Sequence, residues 1–176
     1  MSRRFVVMLL LCASACSRPA PAPVSSDGPI SYAAPDESFT ASLPGGWKVD
    51  DSPGEHRKAA FFGPPDGPKP FAELIAVSWY RAGDRYQNVD DYLAAQAALG
   101  RAEPAREVSA GGVKGRELTV RSVFPDVHSG PQPVVTRVVA VPSGAGFFAL
   151  EHTWPDGAAP SPAFERLLET FKPGAN

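Results

Sequence analysis

Residues 39–47 read Phe-Thr-Ala-Ser-Leu-Pro-Gly-Gly-Trp, FTASLPGGW. Alternation puts Phe39, Ala41 and Leu43 on one face, the mark of a strand with one side in a core. Pro44, Gly45 and Gly46 then turn the chain back, and Trp47 opens the return, where it is expected to plug the sheet against a helix. The same grammar runs onward. KAAFFG (58–63) is a short strand, closed by the proline-rich loop PPDGPKP (64–70). FAELIAVSWYR (71–81) is apolar almost continuously at its centre, which predicts a strand covered on both faces. GRELTVRSVF (115–124) alternates, with Leu118, Val120 and Phe124 expected inward and Glu117, Thr119 and Arg121 outward. VVTRVVAV (134–141) and FFALEHTW (147–154) follow as strands, joined by PSGAG as a hairpin. About six strands are expected.

Two stretches read as helices. In NVDDYLAAQAALG (88–100), Asn88 is a good N-cap, Asp90 and Asp91 suit the positive end, and Gly100 suits the C-cap. In SPAFERLLETFKPG (161–174), Ser161 is the expected cap and Pro162 the first helical residue. Phe164, Leu167, Leu168 and Phe171 make an i, i+3, i+4, i+7 stripe that reads as core, and Pro173 and Gly174 end the run.

The start of the chain speaks of location. Arg3 and Arg4 precede an apolar run from Phe5 to Leu11 and the small residues Ala13, Ser14 and Ala15, the plan of a secretory signal over residues 1–15. As a helix, Phe5 to Ala15 would span roughly 16 Å, against a hydrocarbon core of about 30 Å. Ser14, Ala15 and Cys16 resemble the lipobox of bacterial lipoproteins, with Ala13 where that pattern usually has leucine. The resemblance implies a mature chain beginning at a lipidated Cys16, with Cys12 lost in the leader. Ser17 and Arg18 follow, with no aspartate. By resemblance to lipoprotein sorting in double-membraned bacteria, this implies a cell-envelope protein on the periplasmic side of the outer membrane. A soluble secreted protein is the alternative. Residues 16–29 are then a Pro/Ala-rich tether without apolar mass to bury, residues 30–173 one globular domain, and 174–176 a tail.

Without Arg3 and Arg4, 15 Lys and Arg stand against 19 Asp and Glu, a formal charge of −4. That argues against nucleic acid as a partner and against electrostatic membrane binding. No H-E-x-x-H, cysteine pair, G-x-S-x-G elbow or phosphate-cradling glycine loop occurs, and GGVKG (111–115) reads as a hairpin entry. His56, His128 and His152 each neighbour an acid, so a zinc site assembled across loops stays open. The plainer reading has His56 and His128 in solvated loops and His152 facing outward or capping a sheet face. Asp126, His128 and Ser129 lie close in sequence, but adjacency does not make a triad, and Asp126 and Ser129 suit local turn bonding. No catalytic residue, metal ligand or cofactor is expected.

FTASLPGGW, the strands and helix after it, and AFERLLETFK (163–172) together resemble the PsbP/Mog-like superfamily, which includes DcrB-type and LpqN-type bacterial lipoproteins. The resemblance implies an α+β domain, an antiparallel sheet between helices on both sides. It also implies action mostly by binding, as an accessory module with an envelope protein partner. Trp154, Trp79 and Phe62 are the candidate binding rim. A small-molecule carrier, with a pocket between sheet and helix lined by Phe61, Phe62 and Trp79, is the second expectation, and an envelope hydrolase the third.

Overall fold

The computed structural model describes residues 28–52, 54–65, 73–124 and 130–174. Most of PPDGPKP, the sequence around Asp126, His128 and Ser129, and Cys16 with its leader and most of its tether lie outside them. In chain order the elements are β1 (Ile30–Ala33), β2 (Phe39–Leu43), β3 (Lys48–Asp50), β4 (Arg57–Phe62), β5 (Leu74–Arg81), α1 (Val89–Ala97) and β6 (Arg101–Ala102). There follow β7 (Arg106–Ala110), β8 (Val113–Phe124), β9 (Gln132–Ser143), β10 (Gly146–Pro155), α2 (Ala163–Thr170) and β11 (Lys172–Pro173).

These elements form an α+β fold of three layers. The central sheet runs β3-β4-β5-β10-β9-β8-β6, with β7 also on β8, and every pairing in it is antiparallel. On one face lie α2 and a small sheet ordered β1-β2-β11. Here Phe39, Ala41 and Leu43 meet Phe61, Ile75, Val77, Phe148 and Leu150, with the α2 stripe closing the core. On the other face α1 lays Tyr92 and Leu93 over Leu118, Val120, Val138, Ala140 and Phe147. A sheet covered on both faces needs both parities of its strands apolar, which accounts for the runs in β5, β9 and β10.

The expected six strands are therefore six of eleven among the described residues. The additional ones, β1, β3, β6, β7 and β11, are two to five residues long. Asn88 caps α1 as expected, its side chain accepting the Asp91 N–H, but the helix ends at Ala98 and not at Gly100. α2 starts one residue later than expected, with Pro162 at the cap position, and stops before Phe171, leaving Lys172 and Pro173 to pair with β2. Phe124 departs from its expected inward position and is 54% exposed. Glu117, expected outward, is buried. Gly111 turns β7 into β8 at φ 56°, and a Cβ there would stand 1.6 Å from the Phe171 carbonyl oxygen. Its N–H donates to the Leu168 carbonyl at 2.7 Å, so the hairpin entry also receives the end of α2.

Candidate functional site

The polar side chains that the fold gathers lie between the central sheet and the start of α2. Phe148 and Leu150 point into the core beneath α2, and His152, of the same parity, follows them inward. It is 1% exposed, so neither outward position expected of it is realised. Its Nε2 stands 2.6 Å from Oε2 of Glu73, just ahead of β5. The Glu73 carboxylate also accepts the Ser161 N–H at 2.9 Å and the Ser161 hydroxyl at 2.8 Å. Glu73 thus holds Ser161, whose hydroxyl oxygen in turn accepts the Ala163 N–H of α2 at 3.4 Å.

This set contains a serine, an acid and a histidine, but in the wrong order for nucleophilic catalysis. A triad needs the imidazole between hydroxyl and carboxylate, so that the base takes the hydroxyl proton. Here the carboxylate lies between the other two, and the Ser161 hydroxyl donates to Glu73. The arrangement ties three chain segments together. Burial lowers the His152 pKa below its ordinary value and the nearby Arg137 charge adds to this, outweighing the hydrogen bond and charge of Glu73, which raise it.

Beside it lies a charged cluster. Glu117, with its side chain 2% exposed, accepts from Arg106 Nε at 2.9 Å and from Arg137 Nη2 at 2.7 Å. Arg137 reaches Glu165 on α2 and lies 5.4 Å from the Phe164 ring centroid. Burial pushes the Glu117 pKa up, yet the hydrogen bonds and charges of Arg137 and Arg106 hold it below the usual value. A buried carboxylate persists when such partners satisfy it. On the opposite face the Tyr92 hydroxyl donates to Glu151, within a cluster of Tyr80, Tyr86 and Phe147 rings. Burial raises the pKa of both partners, and for Tyr92 the Glu151 charge adds to it.

The candidate rim residues do not converge. Trp79 packs against the core beneath α2, and Trp154 sits on that same face with its ring 4.9 Å from the His152 imidazole. Trp79 lies opposite Phe148, six residues from Trp154 along β10, or roughly 20 Å at strand rise. Phe62 follows fully buried Phe61 on β4 and so points to the other face. Of the side chains expected to line a pocket between sheet and helix, Phe61 is part of the core and Trp79 packs against it.

Two shallow grooves lie elsewhere. One of about 260 Å³ runs between α1 and β6–β8, lined by Leu93, Ala97, Glu103, Arg116 and Leu118. The other, about 480 Å³, lies between the β1–β2 hairpin and α2, lined by Ser31, Thr40, Ser42, Thr170 and Lys172. Neither contains a histidine or a rim residue. His56 is half-buried, its ring 4.6 Å from that of Tyr80. Among the described residues no three His, Cys, Asp or Glu side chains are grouped to hold a metal ion, and no helix is long and apolar enough to cross a membrane.

Sequence reading missed Glu73, Glu117, Arg137 and the Tyr92–Glu151 pair. Their signal was weak: a charged residue inside a run whose two parities are both apolar, as Glu151 and His152 are in FFALEHTW.

No protein-family model matches this chain, and no curated protein matches its sequence significantly. Solved structures do. A protein from Bacteroides thetaiotaomicron superposes with a TM-score of 0.56 at 16% identity, over 84% of this chain and 49% of that one. This chain therefore spans about half of its length. Cyanobacterial PsbP (CyanoP) from Synechocystis sp. PCC 6803 gives 0.53 at 14% identity, covering 88% of this chain and 97% of that one. The Ran-binding protein Mog1p of Saccharomyces cerevisiae gives 0.53 at 13% identity, covering 84% and 96%. At such identities the likeness is one of fold, and in fold this chain is a PsbP/Mog-like α+β domain.

Proposed function

We propose that this chain is a lipid-anchored lipoprotein of a bacterial cell envelope, whose domain acts as a non-enzymatic accessory module by binding a protein partner. One observation carries the binding reading. The full-length fold of this domain is that of Mog1p, a Ran-binding protein, and of CyanoP. The internal chemistry agrees with it: buried His152 bonds to half-buried Glu73, Glu73 to Ser161, and buried Glu117 to Arg106 and Arg137. The anchor rests on the sequence Ala13-Ser14-Ala15-Cys16 and the tether after it. Outer-membrane placement follows from the residues after Cys16.

Expression with mass analysis of the N-terminus tests the anchor. The mature chain should begin at an acylated Cys16 and sediment with membranes. Cys16→Ser should move it to the soluble fraction, and Cys12→Ser should leave it in place. A wild-type protein that is soluble, with an unmodified N-terminus, would defeat the anchor reading. For the binding reading, photo-crosslinking in intact cells should capture one recurrent envelope protein, and a protein that stays uncrosslinked from every surface position would count against it.

A further inference from the structure

We propose that one end of the central sheet rests on a lipid bilayer, with Leu99, Val123 and Phe124 entering the boundary between headgroups and acyl chains. The proposal deepens the lipoprotein reading and rests on it. Its basis is where the fold puts two unrelated things. The first is exposed apolar mass. Leu99 is 66% exposed, Val123 60% and Phe124 54%, and they are three of the four exposed large apolar side chains among the described residues. Val123 and Phe124 pair with Pro133 and Gln132 at the end of the β8–β9 pairing, up to two residues past the last β10 pairing, Pro155 with Val134. Leu99 comes to the same place. Arg101 pairs with Arg121, and Gly100 passes so close that a Cβ on it would stand 2.2 Å from the Arg121 carbonyl oxygen. Leu99 therefore sits level with the Ser122–Val123 stretch.

The second is the point where the tether leaves. Ile30 pairs with Leu43, and the Pro44–Gly46 turn then leads to β3. Across the sheet, Lys48 lines up with Phe62, Leu74, Thr153, Thr136 and Val120. That row lies toward the Phe124–Gln132 end of the sheet, so Gly28 departs from the same end as the apolar residues. Residues 16–27 can extend at most about 40 Å at the reach of an extended chain. A chain held through Cys16 can thus bring this end to its membrane without crossing the width of the domain. The opposite end carries exposed Arg81, Asp84, Arg85 and Lys114.

Exposed Arg101 and Lys48 lie at this end, Arg121 is paired with Asp156 at 2.6 Å, and exposed Glu103 lies beside Thr119, one position behind the Lys48 row. The opposite end is no less basic, so the apolar side chains and the tether, not charge, single out this end. An aromatic ring and two aliphatic side chains beside basic residues form the kind of small apolar contact that interfacial elements sink about 5–10 Å into a bilayer.

The test uses the full-length protein with its anchor, reconstituted in vesicles of phosphatidylethanolamine and phosphatidylglycerol containing lipids with a nitroxide on the acyl chain. A lipidated Cys16 has no free thiol, so a fluorophore can be placed singly through Phe124→Cys, Val123→Cys or, at the far end, Lys114→Cys. Labels at 124 and 123 should shift to the blue and be quenched severalfold more than the label at 114. Equal quenching at 114 and 124, in protein that floats with the vesicles, would leave the anchor standing and overturn the docking. Labels at 124 that ignore the nitroxide but self-quench as protein concentration rises would give the patch to a second copy of the chain, also overturning it. Protein recovered away from the vesicles with Cys16 itself labelled would overturn both readings.

Discussion

Tyr32 carries a phenolic oxygen that is shut off from solvent yet has no hydrogen-bond partner. Its ring stacks edge-on against Phe61 and near Phe39. Burial, with the charges of Asp51 and Asp36, pushes its pKa up to about 12 from 10.0. The neutral form is favoured in the folded state, so this contribution is intact below pH 10 and is lost as pH rises from there through about 12. Tyr32→Phe removes an unsatisfied oxygen and keeps the ring. It should leave stability unchanged or raise it by about 1 kcal/mol, and flatten the alkaline loss, both readable from urea midpoints against pH. His152 is the acid counterpart. Its folded-state pKa lies below 6.5, so as pH falls past 6.5 the unfolded chain takes up the proton first. Stability held above that pH should therefore drop as pH falls through the folded value. His152→Gln, which can still bond Glu73 but cannot charge, should lessen the drop, and an identical acid profile in wild type and variant would refute the assignment. Period-2 reasoning expected His152 and Glu117 on wet faces. The period states which residues share a face, not which face is wet, and in a sheet covered on both sides neither is.

At the scale of elements, α2 shows what is legible. Its stripe could be read from the sequence because an eight-residue helix with Phe164, Leu167 and Leu168 on one side has one way to dock. All three are buried, as is Phe171 just beyond. Leu168→Ala should cost about 2–5 kcal/mol, the usual range for a truncated core leucine. Arg166→Ala on the exposed side should stay within about 0.5 kcal/mol. Glu165 is exposed but joins Arg137, so Glu165→Ala should cost more than Arg166→Ala, up to about 1 kcal/mol. Equal urea midpoints for Leu168→Ala and wild type would take α2 out of the core. The start of the helix was legible in part: the Ser161 hydroxyl accepts the Ala163 N–H at 3.4 Å, but Glu73, which holds Ser161, comes from 88 residues away. The short strands were hidden for a related reason. β1, β6 and β11 exist through their pairing with β2 and β8, and two to four residues carry no period of their own.

For the whole molecule, the apolar run FAELIAVSWYR predicted a strand covered on both faces and the resemblance implied the layers, but neither pointed to the two-sheet arrangement. The small sheet is closed by residues far apart in the chain: Lys172 pairs with Thr40, Pro173 with Phe39, and the Gly174 N–H donates to the Ser38 carbonyl at 2.7 Å. A chain ending at Phe171 would lose this seam. At about 0.5–1.5 kcal/mol for each hydrogen bond lost, it should be destabilised by roughly 1–3 kcal/mol, and an unshifted thermal midpoint would show that the seam contributes nothing. The seam also sets a schedule. A nascent chain emerges with β2 early, but the strand that completes its sheet follows only after α2, with Lys172 closing on Thr40. While Lys172 and Pro173 are still inside the ribosome, the small sheet lacks an edge and the core beneath it lacks its lid. The domain thus cannot finish folding until its last element has emerged, a delay that suits any polypeptide that must be threaded across a membrane before it becomes compact.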